Sequence, residues 1–332
     1  MNIIESGKGE IFCKNTPSQV RDWTRENKNR ALVDKRMSAK EAVRRFIKDE
    51  DYLAIGGFGH VRIPMSIIYE IVRQGISELS VAGHTAVHDL DVLIAGDCVK
   101  NVDVAYVTGY ELRGLSANQR RAYESGKINL TEWTNGALAW RLKAGAMGVP
   151  FIPAKTMLGT DTFKYSAGKV ARCPFTGEKV VLLPALCPDV TICHVHRCDI
   201  HGNAQIDGAT VKDELSTKAA KRVILTTEEI VETEEIRREP WRTTIPYYYV
   251  DAVVEVPWGS HPCNMPRKYY FDEEFINDYL KAAKKETSLS KWMEKYVYSV
   301  KDFNQYLDLI GRERLLALRD LEFLRTRKKE VV

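Results

Sequence analysis

No apolar run in this 332-residue chain approaches the roughly 18 residues that would suggest a membrane span. The opening stretch MNIIESGKGEIFCKN has no apolar core of the length a secretory leader needs. Cysteine is sparse and odd in number, seven in all, with no Cys-x-x-Cys pair. Free thiols in a reducing cytoplasm are therefore expected, not a disulfide framework. Excess charge is also scarce. A formal net charge of +4 argues against nucleic acid or a membrane surface as partner. The basic runs RENKNR and RTRKKE near the two ends read as solvated tails. Two phosphate-binding signatures are missing as well. The dinucleotide fingerprint fails because Arg62 stands where the third glycine after Gly57 and Gly59 would be. A Walker A loop fails because Lys8, Lys127 and Lys169 follow glycines without a Ser or Thr behind them.

What is present describes a globular enzyme-sized domain, 44% hydrophobic and 28% charged. Residues 1–35 are polar and weakly periodic and read as an N-terminal extension; residues 36–332 read as one large domain. Ser38 is placed to cap a helix whose apolar face is Ala42, Val43, Phe46 and Ile47. YLAIGGF reads as a buried strand leaving its sheet, Pro64 as the start of a helix and Gly75 as its end. ELSVAG, NVDVAYV, KVVLLPA, DVTICHV, the end of STKAAKRVILTTEE and VDAVVEVPWG read as strands, and NGALAWRLKAGAMG as a helix. This alternation predicts an α/β fold with an open, mainly parallel, doubly wound sheet. From about residue 272 onward the pattern is helical, including one long helical stretch through SVKDFNQYLDLIGRERLLALRDLEFL.

The stretch LAIGGFGHVRIP, residues 53–64, concentrates three glycines between a strand and a helix. Such a turn is either tight packing or a place where backbone N–H groups meet a ligand. In the second case they would serve a phosphate or, as an oxyanion hole, a carbonyl oxygen.

The same stretch resembles the class I coenzyme A transferases. It has Asp49, then Leu53-Ala54-Ile55, Gly56-Gly57-Phe58, and Pro64 in the closing position. Glu50 and Arg62 depart from the usual pattern, and an Arg-x-Pro ending is similar to the A subunits of the glutaconate type. GVPFIPAKTMLGTD, PFTGEKVVLLPALCPDVTICHVH, DIHGNAQI and TTEEIVETEEIRREPWRTTIPYYYVDAVVEVPWGSHP extend the resemblance over roughly residues 38–312. It implies ping-pong CoA transfer through a glutamate that attacks an acyl-CoA. In two-subunit members that glutamate lies in a Ser-Glu-Asn-Gly motif of the B subunit. The motif is absent here, and TNGALA at residues 134–139 is its nearest trace, without an acid. The resemblance thus implies an A subunit in a hetero-oligomer with a B subunit. It would act on an acyl-CoA and a carboxylic acid, with CoA as substrate and no prosthetic cofactor. Gly56, Gly57, Phe58 and Gly59 would form a binding wall with oxyanion donors, and Ser260 and His261 in WGSHP would lie near the active site.

Single residues keep two readings each. Glu111, just after the strand NVDVAYV, is either an exposed loop residue or a carboxylate that orients substrate or activates water. His60 is an acid–base or substrate-binding candidate, or a local turn contact. Arg62 either pairs with a substrate carboxylate or forms a structural ion pair. His84 and His88 stand at a possible crevice edge. The spacing in CHVHRCDIH is poor for zinc, and a metal-binding module is the weaker alternative. A hydrolase, ring-opening enzyme or decarboxylase on the same scaffold, using Glu111 or His60, is the other.

Overall fold

The computed structural model describes residues 2–110 and 113–327, so Glu111 lies outside the described residues. Its centre is a seven-stranded sheet in which every neighbouring pair is parallel. Across the sheet the order is Ala252–Glu255, Arg222–Thr227, Val190–Val195, Tyr52–Ile55, Leu79–His84, Val99–Ala105 and Asn129–Glu132. The chain thus begins in the middle, lays three strands to one side, then returns and lays three to the other. The reversal falls between Tyr52–Ile55 and Val190–Val195. In open α/β sheets, ligands bind outside the carboxyl ends of the strands at such a switch point.

Both faces are covered, so these two strands are buried throughout. Alternation within one strand divides the core in two. Leu53 and Ile55 face a cluster with Val43, Ile67, Leu90 and the C-terminal helices. Tyr52 and Ala54 face another with Leu138, Leu142 and Val181. Several local readings hold. Ser38 caps Ala39–Phe46 by accepting from the Glu41 N–H, and Gly75, φ +66°, follows the helix Met65–Arg73.

Other expectations are corrected. KVVLLPA forms a strand, Lys179–Pro184, but in a separate four-stranded antiparallel sheet. The long C-terminal stretch is two helices, Phe303–Ile310 and Arg312–Arg327, because Gly311 adopts φ +87° between them. Residues before 36 pack on the rest of the chain. Ile3–Ser6 pairs with Lys169–Arg172, and Pro17–Asn27 starts from a capping box of Thr16 and Gln19. Within RENKNR, the Lys28 ammonium is buried against Asp251 Oδ2 at 2.6 Å and the Lys221 carbonyl at 2.8 Å. A charge that finds both a carboxylate and a carbonyl need not stay in solvent. No helix among the described residues is long and apolar enough to cross a membrane.

Candidate functional site

The glycine turn leaves the central strand at the switch point. Gly56 N–H donates to the Ile192 carbonyl (2.7 Å), Gly57 N–H to Asp213 Oδ1 (2.9 Å) and Gly59 N–H to the Thr85 carbonyl (3.0 Å). Phe58 and Val61 exchange two backbone bonds across a two-residue turn. All four N–H groups from Gly56 to Gly59 are therefore spent inside the protein, and the oxyanion donors expected there are not available. Packing explains two of the glycines. A Cβ on Gly56 would stand 2.7 Å from Cys193 Sγ, and one on Gly57, φ +78°, 2.3 Å from the Val61 carbonyl oxygen. What approaches this backbone is the chain itself.

Arg62 closes the turn. Its guanidinium meets both Asp213 oxygens, at 3.0 and 2.9 Å, in a buried pair, and donates to the Ala209 carbonyl at 2.8 Å on the pair's partly exposed side. Of its two readings, the structure shows the ion pair. Burial pushes the Asp213 carboxyl up, but the Arg62 bonds and charge, with the Gly57 N–H, outweigh it and hold it below its ordinary value. Next to it the Lys212 side chain is enclosed, donating to the His84 carbonyl at 2.9 Å. Its burial lowers the ammonium pKa against the opposing pull of Asp89 and Asp213.

His60 sits at the tip of the turn. Its ring lies nearly parallel to Phe271, centroids 5.7 Å apart, and 5.6 Å from Tyr110. Its Nε2 is buried without a hydrogen-bond partner among the described residues. Burial, then the Arg113 charge, pushes its pKa down to about 4, so the ring is neutral at pH 7. Arg113 lies 4.7 Å over Phe271 and pairs with Glu273 at 2.7 Å. Tyr110 donates to Asp91 at 2.9 Å and lies 3.2 Å from His88 Nδ1, which fixes the backbone just before position 111. His84 is 2% exposed, its Nδ1 unpartnered, and burial followed by Lys212 depresses its pKa to about 4.

Ser260 and His261 do not reach this crevice. Ser260 N–H donates to Tyr269 Oη (3.0 Å), while His261 is fully buried between Tyr306 Oη (2.7 Å) and Asp272 Oδ2 (3.2 Å). Their turn is nevertheless fastened to the site, since Asn264 N–H donates to the His60 carbonyl and Ser66 N–H to the Gly259 carbonyl.

The CHVHRCDIH residues are internally satisfied. His194 bonds Thr226 and Glu228, and His196 donates to the Pro266 carbonyl while accepting from the Asp207 N–H. Among the described residues no group of three or more His, Cys, Asp or Glu could hold a metal ion.

Asp213, Lys212 and Phe271 escaped the sequence reading, as did the contact of Thr85 Oγ1 with Asn135 Oδ1 at 3.2 Å. Asp213 opens the short helix Asp213–Ala219, where an acidic residue suits a first turn and gives no sign of a partner.

Comparison with known proteins places this geometry. Residues 36–256 match the family model described as Coenzyme A transferase. The chain is 32% identical over 309 residues to the A subunit of glutaconate CoA-transferase from Acidaminococcus fermentans, covering 86% of this chain and 95% of that one. It is also 32% identical over 274 residues to the A subunit of 3-oxoadipate CoA-transferase from Pseudomonas knackmussii, covering 81% and 96%. The crystal structure of the Acidaminococcus fermentans glutaconate coenzyme A-transferase matches with a TM-score of 0.83 over 86% of this chain and 95% of that one, at 32% identity. With its turn at the switch point and these likenesses over most of its length, the chain belongs to the coenzyme A transferase family and is similar within it to the A subunits of the glutaconate type.

Proposed function

We propose that this chain is the A subunit of a cytoplasmic two-subunit CoA-transferase. It moves CoA between an acyl-CoA and a carboxylic or dicarboxylic acid, while a B subunit supplies the nucleophilic glutamate. The observation that supports it is how the carboxylates beside the turn are used. Asp213 is held by Arg62 and Gly57, and Asp91 by Tyr110 and Asn118, so neither is free to attack a thioester. Asp89, near Lys212, keeps an unpartnered Oδ1 among the described residues, but it is 1% exposed and burial pushes its carboxyl up, toward the neutral form that is a poor nucleophile. In this reading the partner's carboxylate adds to the thioester carbonyl and the CoA thiolate leaves. The thiolate then attacks the resulting anhydride at the glutamyl carbonyl, which releases the first acid and leaves CoA on the enzyme. The second acid attacks that thioester in turn, and the same steps run backward. CoA is a substrate, and the cycle needs no resident cofactor. His60, neutral and with a free Nε2, is suited to donate a hydrogen bond to an oxyanion formed in these steps.

Native mass spectrometry of the chain purified from its own cell, with its partner sequenced, tests the reading alongside a transfer assay on that complex. The expected result is a tight partner carrying Ser-Glu-Asn-Gly, whose Glu→Gln variant transfers no CoA. Hydrolysis or decarboxylation of a CoA ester by a complex whose partner lacks that glutamate would overturn it.

A further inference from the structure

Phe271 carries two side chains that come from different parts of the chain. The His60 ring lies nearly parallel to it, centroids 5.7 Å apart, and the Arg113 guanidinium carbon is 4.7 Å from its centroid. The imidazole and the guanidinium are therefore no farther apart than the sum of those two distances. Tyr110 ties the same two residues together a second time. Its ring is 5.6 Å from that of His60, and its carbonyl accepts from the Arg113 N–H at 3.0 Å.

The guanidinium is held in place but not used up. The Arg113 side chain is 12% exposed, and its Nε is buried without a hydrogen-bond partner among the described residues. Its counter-ion is Glu273, at 2.7 Å, whose side chain is 59% exposed. A carboxylate so exposed to water gains little from such a pair. Glu273 also opens the helix Glu273–Ala283, where a negative charge is stabilised without Arg113.

Arg62 makes the contrast. Its partner Asp213 is as buried as the arginine itself and takes it on both oxygens. Nothing arriving from solvent can displace that carboxylate. Of the two arginines that adjoin the glycine turn, Arg113 is the one with a replaceable partner.

A guanidinium presents its N–H donors in one plane and pairs with a carboxylate through two of them. The anion that suits Arg113 comes from solvent, carries a carboxylate and is long enough to extend from there towards His60. A short dicarboxylic acid has that form; a monocarboxylic acid has no second charge to offer. We infer that Arg113 is a specificity-determining residue for the acid substrate. It takes the remote carboxylate of a dicarboxylic acid in place of Glu273, while the carboxyl group that receives CoA lies towards His60. The assignment of the reacting carboxyl rests on the CoA-transfer reading; the preference for a diacid rests on Arg113. No bond is made or broken at this residue, and Glu273 moves into water.

The test is isothermal titration of the A–B complex purified from its own cell. The probes are succinate, glutarate and adipate, with butyrate as the acid that lacks the second charge. Wild type should bind at least one diacid more tightly than butyrate. In Arg113→Met the ratio of diacid to butyrate affinity should fall at least about tenfold, the loss of one two-point charged pair. Arg113→Lys keeps the charge without the fork and should recover part of that ratio. Glu273→Gln removes the competing carboxylate and should raise diacid affinity about twofold or more, with butyrate unchanged. A purely structural ion pair predicts the reverse: all four acids weaken alike or none does, and Glu273→Gln helps no ligand. A smaller fall in the ratio, or a wild type that prefers butyrate, would overturn the inference. If Arg113→Met fails to assemble, Glu273→Gln decides, with a rise for diacids alone supporting the inference and no rise overturning it. These titrations need no turnover, so a complex that selects diacids through Arg113 yet transfers no CoA would sink the transferase reading alone.

Discussion

The Asp213 carboxylate accepts from the Arg62 guanidinium on both oxygens and from the Gly57 N–H, joining two segments 151 residues apart at the sheet's switch point. Both side chains are buried, so removing one partner strands the other's charge in a poorly solvated place. Arg62→Met should therefore cost about 3–5 kcal/mol, because it leaves a carboxylate that Gly57 alone cannot satisfy. Equilibrium urea unfolding checks this, and a change below about 1 kcal/mol would show that the pair is not under load. The Asp213 pKa is lower in the folded state than its ordinary value. Its stabilisation is thus complete above the ordinary carboxylate range and is lost as pH falls through the folded value. Arg62→Met should remove that acid-side dependence.

The three glycines of the turn should separate by mechanism. Gly56→Ala would force its Cβ to 2.7 Å from Cys193 Sγ and 2.9 Å from Asp213 Oδ1. Gly57→Ala meets the Val61 carbonyl oxygen at 2.3 Å and also keeps φ +78°. At Gly59 the nearest atom is Thr85 Cγ2 at 3.8 Å, so Gly59→Ala bears only the left-handed backbone, about 1–2 kcal/mol. The expected order of loss on thermal melting is Gly57 greatest, Gly56 next and Gly59 least. Equal losses at all three would contradict the packing account.

This order also shows what the sequence made legible. The run of apolar residues into Gly56 and Gly57 announced a strand ending in a turn, and Ser38 announced a helix, because those signals are local. Nothing in the spacing pairs Arg62 with Asp213 or Asn135 with Thr85, since such contacts depend on how the sheet reverses. His261 shows the opposite failure. It had chemical potential as an isolated letter, but Tyr306 and Asp272, 45 and 11 residues away, hold both its nitrogens. The N-terminal segment hid its structure for a related reason. Ile3–Ser6 is an exposed edge strand, too short to show a pattern before Lys169–Arg172 pairs with it.

Five buried histidines, His60, His84, His88, His196 and His261, make stability fall toward acid, since burial lowers the pKa of each. Burial depresses His60, His84 and His196 to about 4, whereas an unfolded histidine titrates near 6.5. A depressed folded value means that the unfolded chain binds protons first. Stability is complete above about pH 6.5 and declines toward pH 4, by about 1.4 kcal/mol per pH unit for each histidine in its steep range. Urea unfolding at pH 7.5, 6 and 5 should show the decline, and His196→Gln should make it shallower. A flat response from pH 7.5 to 5 would mean that these rings are solvated.

Asp272 ties the C-terminal helices to the site. It caps Glu273–Ala283 by accepting from Phe275 N–H, holds His261 Nε2, and takes two bonds from Arg314 at 2.5 and 2.6 Å. Arg314 is partly exposed and the buried Asp272 carboxylate keeps the Phe275 N–H and His261 Nε2, so Arg314→Met should cost about 1–2 kcal/mol, less than Arg62→Met. Asp272→Ala removes the cap as well, about another 1 kcal/mol, and leaves the His261 ring unsatisfied, so its cost should be several-fold larger. The neighbouring residue Phe271 stacks on His60. Loosening that contact would admit water and let the His60 pKa rise toward its ordinary value. A pH titration of the His60 ring by NMR in Asp272→Ala should therefore show a midpoint above that of the wild type. An unchanged midpoint beside a large stability loss would confine the role of Asp272 to the C-terminal helices and show that Phe271 keeps its place on His60 without it.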